Sequence, residues 1–193
     1  MGSFIIEGGH RLHGEVIPQG AKNEALQILC AVMLTAEPVT IHNLPDIVDV
    51  NKLIHLLGDL GVKTQHIGPG SWRFEADDVH LEHLQTEAFR TKGSALRGSV
   101  MILGPMLGRF GVGAIPRPGG DKIGRRRLDT HFIGFQKLGA TFSYDASTGF
   151  FNASAEGGLK GAHMLLDEAS VTGTANVVMA AALAEGTTTI YNA

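Results

Sequence analysis

The chain has 193 residues, with 16 Lys and Arg against 19 Asp and Glu, a formal charge of -3 that argues against a bulk polyanion binder. It is 44% hydrophobic and only 18% charged, where an average globular protein carries about 25% charged residues. A packed core is expected and disorder is not.

The opening residues, Met1 to Glu7, have neither a basic n-region nor a long apolar stretch, so they do not read as a secretory signal. The longest apolar runs, 25–34 and 177–184, fall short of the roughly 18 to 20 residues that a bilayer span needs. A cytoplasmic address without a membrane partner is expected. The one cysteine, Cys30, lies in the first of these runs and reads as a small core residue. The nine His show no His-x-x-x-His spacing and there is no Cys-x-x-Cys, so no metal is expected.

The first motif along the chain is Gly20-Ala21-Lys22-Asn23, ahead of a helix expected to begin near Glu24. A cation and an amide at a helix N-terminus suit a phosphate or carboxylate, because free N–H groups there already favour an anion. The bland reading is a surface Lys with Asn23 as N-cap. Residues 49–60 place Val50, Leu53, Ile54, Leu57 and Leu60 on one helical face and stop at Gly61. Leu96-Arg97-Gly98 opens an apolar run that ends near Gly111 and feeds a strand over 112–115.

Residues 118–129 then gather Asp121, Lys122, Arg125, Arg126, Arg127 and Asp129 in a Gly-rich loop. Guanidinium forks in that density suit phosphate or carboxylate. The overall acidic balance and scarce aromatic interleaving disfavour nucleic acid. Residues 129–138 carry Phe132, Ile133, Phe135 and Leu138 at helical spacing, ending at Gly139. Ser170-Val171-Thr172-Gly173-Thr174 precedes the apolar run 175–184 and offers hydroxyls and helix N-terminal amides to an anion, or simply a cap. Neither a Walker phosphate loop nor a Gly-x-Ser-x-Gly elbow occurs, which disfavours Walker ATPases and serine hydrolases.

These segments echo one another. Leu12-His13-Gly14 and Thr40-Ile41-His42-Asn43 return as Leu159-Lys160-Gly161 and Thr189-Ile190-Tyr191-Asn192. The repeat reads strand, helix, strand, helix, hairpin, with copies near 12–75 and 93–152 and a third that halts after its first helix and strand. The expected class is α/β built from repeated strand-helix units, and the expectation is that the natural chain continues.

Taken together, Leu12-x-Gly14-x-Val16, Gly20-Ala21-Lys22-Asn23, Arg97-x-Ser99, Leu103-Gly104-Pro105, Pro118-Gly119-Gly120, Ile123-Gly124 and Leu159-Lys160-Gly161-Ala162-His163 resemble the UDP-N-acetylglucosamine 1-carboxyvinyltransferase family, as does Leu183-Ala184-Glu185-Gly186-Thr187-Thr188. The resemblance implies six strand-helix units arranged as an inside-out α/β barrel in two domains, with substrates in the cleft between them. Residues 1–20 would then be an opening segment packed with the second domain, and 21–193 the first domain, truncated in its third repeat. The implied reaction moves the enolpyruvyl group of phosphoenolpyruvate to the 3'-hydroxyl of UDP-N-acetylglucosamine, releases phosphate, begins peptidoglycan synthesis and uses no cofactor.

The resemblance also assigns roles. Lys22, Asn23 and Arg126 would hold phosphoenolpyruvate, with Lys22 and Asp121 catalytic. Arg97, Arg126, Leu128, Asp129, Ser170 and Val171 would meet the nucleotide sugar. The family's general acid is typically a Cys after Pro-Gly-Gly, and that position is Asp121 here; its replacement would remove the thiol that fosfomycin alkylates. Arg127 stands where Pro is common, and Glu168 where a basic residue is often found. The general base and further arginines belong to the C-terminal half, a needed partner. The related shikimate-phosphate transferases open with Lys-Ser and carry Gly-Asn-Ala-Gly-Thr, neither of which matches here. A half-module that binds nucleotide sugar or a partner chain without turnover is the alternative.

Overall fold

The computed structural model describes residues 3–119 and 127–193. Helix α1 (Lys22–Ala31) buries Ala25, Leu26, Leu29 and Cys30 and continues into a short 3-10 turn, Val32–Leu34. Cys30 is wholly buried, and burial pushes its thiol far above the ordinary cysteine range, as expected of a core residue. Strand β1 (Val39–Ile41) follows, then α2 (Val48–Asp59), whose Val50, Leu53, Ile54 and Leu57 face inward at the spacing read from sequence. Gly61 ends α2 at φ +93°, a left-handed conformation that side chains resist. The chain turns there into the hairpin of β2 (Lys63–Gly68) and β3 (Ser71–Glu75), giving an antiparallel sheet in the order β1-β3-β2.

The second unit repeats this plan. After a 3-10 segment (Leu81–Gln85) and α3 (Glu87–Ser94), a second 3-10 segment (Arg97–Ile102) leads into α4 (Leu103–Phe110) and β4 (Val112–Pro116). Helix α5 (Asp129–Lys137) closes through Leu138 and Gly139, the latter at φ +97°, into β5 (Thr141–Asp145) and β6 (Phe150–Ser154). Its sheet order, β4-β6-β5, is that of the first. In the third unit β7 (His163–Leu165), α6 (Val171–Ala181) and β8 (Thr189–Tyr191) form a parallel strand-helix-strand crossover. Asn43 after β1 and Asn192 after β8 both adopt φ +59°, the only positive-φ residues other than Gly among the described residues. The Thr-Ile-x-Asn echo is therefore a repeated backbone geometry.

Helices occupy the middle and hairpins the outside. Helix α6 lies against α1, α4 and α5, while every residue of β2 is exposed except the half-buried Gly68. Small residues set the helix approach: a Cβ on Gly134 of α5 would lie 2.2 Å from Val177 Cγ2 of α6. The buried face of α5 is accordingly Thr130, His131, Gly134 and Phe135, and Phe132 and Ile133, expected inward, are half-buried.

The leading strand of each unit is only partly realised. Strand β7 supplies one in the third unit, but residues 3–20 have no regular secondary structure. Leu12 and Val16 are about nine-tenths exposed at 93% and 89%. A strand is defined by its ladder with a neighbour.

Candidate functional site

Helix α1 starts at Lys22, two residues earlier than expected, and its N-cap is Ala21 without any side-chain cap bond. Asn23 lies within the first turn, so it is not the cap that the bland reading required. Lys22 Nζ stands 2.5 Å from Asp49 Oδ2, in the first turn of α2. Gly20 allows the chain to enter α1 against β1's end, since a Cβ there would lie 1.9 Å from the Asn43 carbonyl oxygen.

A second group forms where the second and third units meet. Arg97 Nη2 donates to the Arg127 carbonyl at 3.3 Å. Arg127 Nε donates to Asp129 Oδ2 at 2.8 Å, and its Nη2 to Asp167 Oδ2 at 3.1 Å. The Asp129 carboxylate first, then Asp167 and Glu168, hold the Arg127 guanidinium above its usual range. Thr130 Oγ1 donates to Asp167 Oδ1 at 2.7 Å. Ser170 Oγ accepts from Gly173 N at 3.2 Å, so it does cap α6. A Cβ on Gly173 would lie 2.9 Å from Thr130 Cγ2, so the N-termini of α5 and α6 are in contact.

Arg97, Leu128, Asp129, Ser170 and Val171 thus share one region. Lys22 and Asn23 connect to it through α1, because Leu26, one turn on, is 3.3 Å from where a Cβ of Gly98 would be, next to Arg97. Asp121 and Arg126 lie outside the described residues, as do Lys122 and Arg125.

Sequence reading passed over the groups that anchor this region. Asp49 and Asp167, which take Lys22 and Arg127, carry no local motif. Beneath them, Asn176 is wholly buried: its Nδ2 donates to Val100 O at 2.9 Å and meets His131 Nδ1 at 3.0 Å, and its Oδ1 accepts from Gly104 N at 2.9 Å. Burial, with a contribution from the Arg97 charge, pushes His131 down to about 4. An amide inside the apolar run 175–184 was the available signal, since a buried amide demands partners.

Repeated strand-helix units with helices inside and hairpins outside, carrying cations and helix N-termini at the unit junction, define the carboxyvinyl transferase class of fold. The chain matches the family described as EPSP synthase (3-phosphoshikimate 1-carboxyvinyltransferase) over residues 6–193, and belongs to it. Among curated relatives it is similar to proteins named UDP-N-acetylglucosamine 1-carboxyvinyltransferase: 61% identical in Bacteroides thetaiotaomicron, 63% in Bacteroides fragilis and 44% in Escherichia fergusonii. Each match covers all 193 residues of this chain and 44% of the relative, so the chain spans less than half their length.

Two solved structures share the fold. The enolpyruvyl transferase NikO from Streptomyces tendae aligns with a TM-score of 0.74 at 21% identity, over 95% of this chain and 41% of that one. EPSP synthase from Acinetobacter baumannii aligns with a TM-score of 0.67 at 16% identity, over 92% and 40%. The expected α/β enolpyruvyl transferase architecture is the observed one. No helix among the described residues is long and apolar enough to cross a membrane.

Proposed function

We propose that this chain is part of a UDP-N-acetylglucosamine 1-carboxyvinyltransferase, which moves the enolpyruvyl group of phosphoenolpyruvate to the sugar 3'-hydroxyl in the first committed step of peptidoglycan synthesis. The observation that carries this reading is 61–63% identity across all 193 residues to relatives bearing that name. Residues 1–20 pack with a second domain in this reading, and 21–193 belong to the first.

Phosphoenolpyruvate carries a phosphate and a carboxylate, and Lys22, Asn23 and Arg126 hold it in this reading. A carboxylic acid at Asp121 protonates the C3 methylene, C2 becomes cation-like, and the sugar hydroxyl adds there as its proton goes to a base. Loss of a C3 proton and of phosphate from the tetrahedral adduct then regenerates the double bond. Arg97, Arg126, Leu128, Asp129, Ser170 and Val171 position the nucleotide sugar. The region built from Arg97, Arg127, Asp129 and the start of α6 supports that role, because its donors and helix N-termini lie together.

Asp121 must be protonated to act, while Lys122 and its neighbouring arginines favour the carboxylate. Desolvation on substrate binding is what restores the acid in this reading. Phosphate release is the test, assayed with phosphoenolpyruvate and UDP-N-acetylglucosamine in the protein that contains this chain. Release that needs both substrates is expected. Calorimetric binding of the nucleotide sugar without release would instead favour a binding module.

A further inference from the structure

We propose that His80, Glu82 and His83, at the junction of the first and second units, form a binding site for a divalent transition-metal ion of the zinc type. One ligand atom from each lies within 4.8 Å of the other two. The spacing, His80-x-Glu82-His83, is shorter than His-x-x-x-His. It works because the 3-10 turn of Leu81–Gln85 brings residues three apart onto one edge.

The backbone holds this turn firmly. His80 N donates to Leu60 O at 2.8 Å, and His83 N to His80 O at 3.1 Å. His83 Nδ1 is 2.9 Å from the Asp59 carbonyl oxygen. A carbonyl only accepts, so this bond requires hydrogen on Nδ1 and leaves the lone pair on Nε2. That is the outer arrangement common to metal-ligating histidines, in which the second ring nitrogen is fixed by a carbonyl or carboxylate. The His80 ring rests against Gly61, where a Cβ would lie 3.1 Å from its Cδ2, and meets the His83 ring edge-on at 5.0 Å.

The donor set and local charge agree with a cation. Two imidazoles and one carboxylate are ligands that zinc accepts, and neither calcium nor magnesium selects imidazole. Asp78 Oδ2 lies 3.6 Å from His80 Nε2 and adds negative charge. The nearby cation Lys92 is already paired with the Asp59 carboxylate at 2.5 Å. Glu82 also lines an open cleft of about 400 Å³ beside β4 and β6, so the site is reached from solvent.

This site lies at the far end of α2 from the Lys22–Asp49 pair. Asp49 is in the first turn of α2 and Asp59 ends it, which at 1.5 Å per residue puts them about 15 Å apart. A metal there would fix the His83 ring that bonds the Asp59 carbonyl at the end of α2, and would stabilise the folded chain by mass action.

The test is calorimetric titration of Zn²⁺ into the untagged, metal-free protein, with Co²⁺ visible absorption to report the ligand set. One equivalent should bind, and His80→Asn, His83→Asn or Glu82→Gln should each weaken it by more than about ten-fold. Zinc should raise the Tm of the unsubstituted protein but not of the double variant H80N/H83N, whose fold is checked by circular dichroism. Other exposed histidines provide the control, His10→Asn with His13→Asn. The proposal is overturned if no single equivalent binds, if H80N/H83N binds as before, or if the control pair removes the binding instead.

Discussion

Lys22 Nζ sits 2.5 Å from Asp49 Oδ2, tying the first residue of α1 to the first turn of α2. The two side chains are 47% and 32% exposed, so the pair adds little to stability. Its effect is on where the ammonium points. If Lys22 holds phosphoenolpyruvate, Asp49 is a positioning residue that competes with substrate for the same charge.

Asp49→Asn should therefore leave the unfolding midpoint nearly unchanged while altering KM for phosphoenolpyruvate by up to roughly five-fold, the upper range of an exposed ion pair. Lys22→Ala should abolish turnover. Steady-state phosphate release at varied phosphoenolpyruvate checks both. An Asp49→Asn protein with unchanged KM but lowered stability would show that the pair serves packing alone.

The interior supplies a pH-dependent prediction. His131 is 3% exposed and pushed down to about 4, against about 6.5 in the unfolded chain. Above pH 6.5 both states are neutral at this group and its contribution is complete. As pH falls from 6.5 to about 4 the unfolded chain takes up a proton that the folded chain refuses, so stability drops through that window. Between pH 6.5 and 5 the loss should be roughly 1.5 kcal/mol greater than in His131→Gln. Urea denaturation of both proteins at the two pH values measures the difference, and equal losses would contradict it.

Among the described glycines, Gly134 is the one where an added Cβ would come nearest to another residue's side chain. Replacing helical Gly with Ala ordinarily gains about 0.5–1 kcal/mol, but here the added methyl would meet Val177 Cγ2 at 2.2 Å. Sterics should decide the sign, and Gly134→Ala should destabilise by about 1–3 kcal/mol. Adding Val177→Ala makes room for that methyl, so the double variant should be more stable than the sum of the two single losses. Additive losses in chemical denaturation would mean that α5 and α6 move apart instead.

That contact also marks what local pattern can and cannot reveal. The face of α2 is readable because Val50, Leu53, Ile54 and Leu57 recur at helical spacing, and Gly61 and Gly139 are needed by backbone conformation wherever a helix turns into a hairpin. The Thr-Ile-x-Asn echo is readable because Asn tolerates the left-handed turn that ends both strands. Gly134, His131 and Asn176 belong to the core only because α4, α5 and α6 cross there, and no neighbour in sequence announces a crossing. Lys22 could be singled out from its segment and Arg97 only through the resemblance, whereas their surroundings, Asp49 and the Arg127 carbonyl, come from distant parts of the chain. The repeat predicts a strand around Leu12, but strand character depends on a ladder partner that local sequence does not name.

Asp121 yields a prediction about inhibition. With a carboxylate where the resemblance implies a Cys, the proposed acid lacks the thiolate nucleophile that fosfomycin alkylates. If the proposed activity holds, the protein that contains this chain should show no time-dependent loss of phosphate release in fosfomycin and no mass adduct in the peptide carrying residue 121. Asp121→Cys should acquire both. An adduct on Asp121 itself would refute the assignment.

The resemblance implies departures from the family pattern at Arg127 and Glu168, and the two residues fall in one electrostatic group. Arg127 bridges Asp129 and Asp167, with the Glu168 charge also acting on it. Removing it by Arg127→Ala would leave three carboxylates facing the region where an anionic diphosphate is proposed to dock. KM for UDP-N-acetylglucosamine should rise by up to roughly five-fold, more steeply at low ionic strength because added salt screens the exposed charges. The turnover number should be almost unaffected, since Arg127 is not assigned to the reacting atoms. Restoring a cation at the other position, as Arg127→Ala with Glu168→Lys, should recover most of the lost affinity. If the second substitution gives no recovery, Arg127 acts by shaping the turn before α5, and the charge exchange between the two positions is incidental.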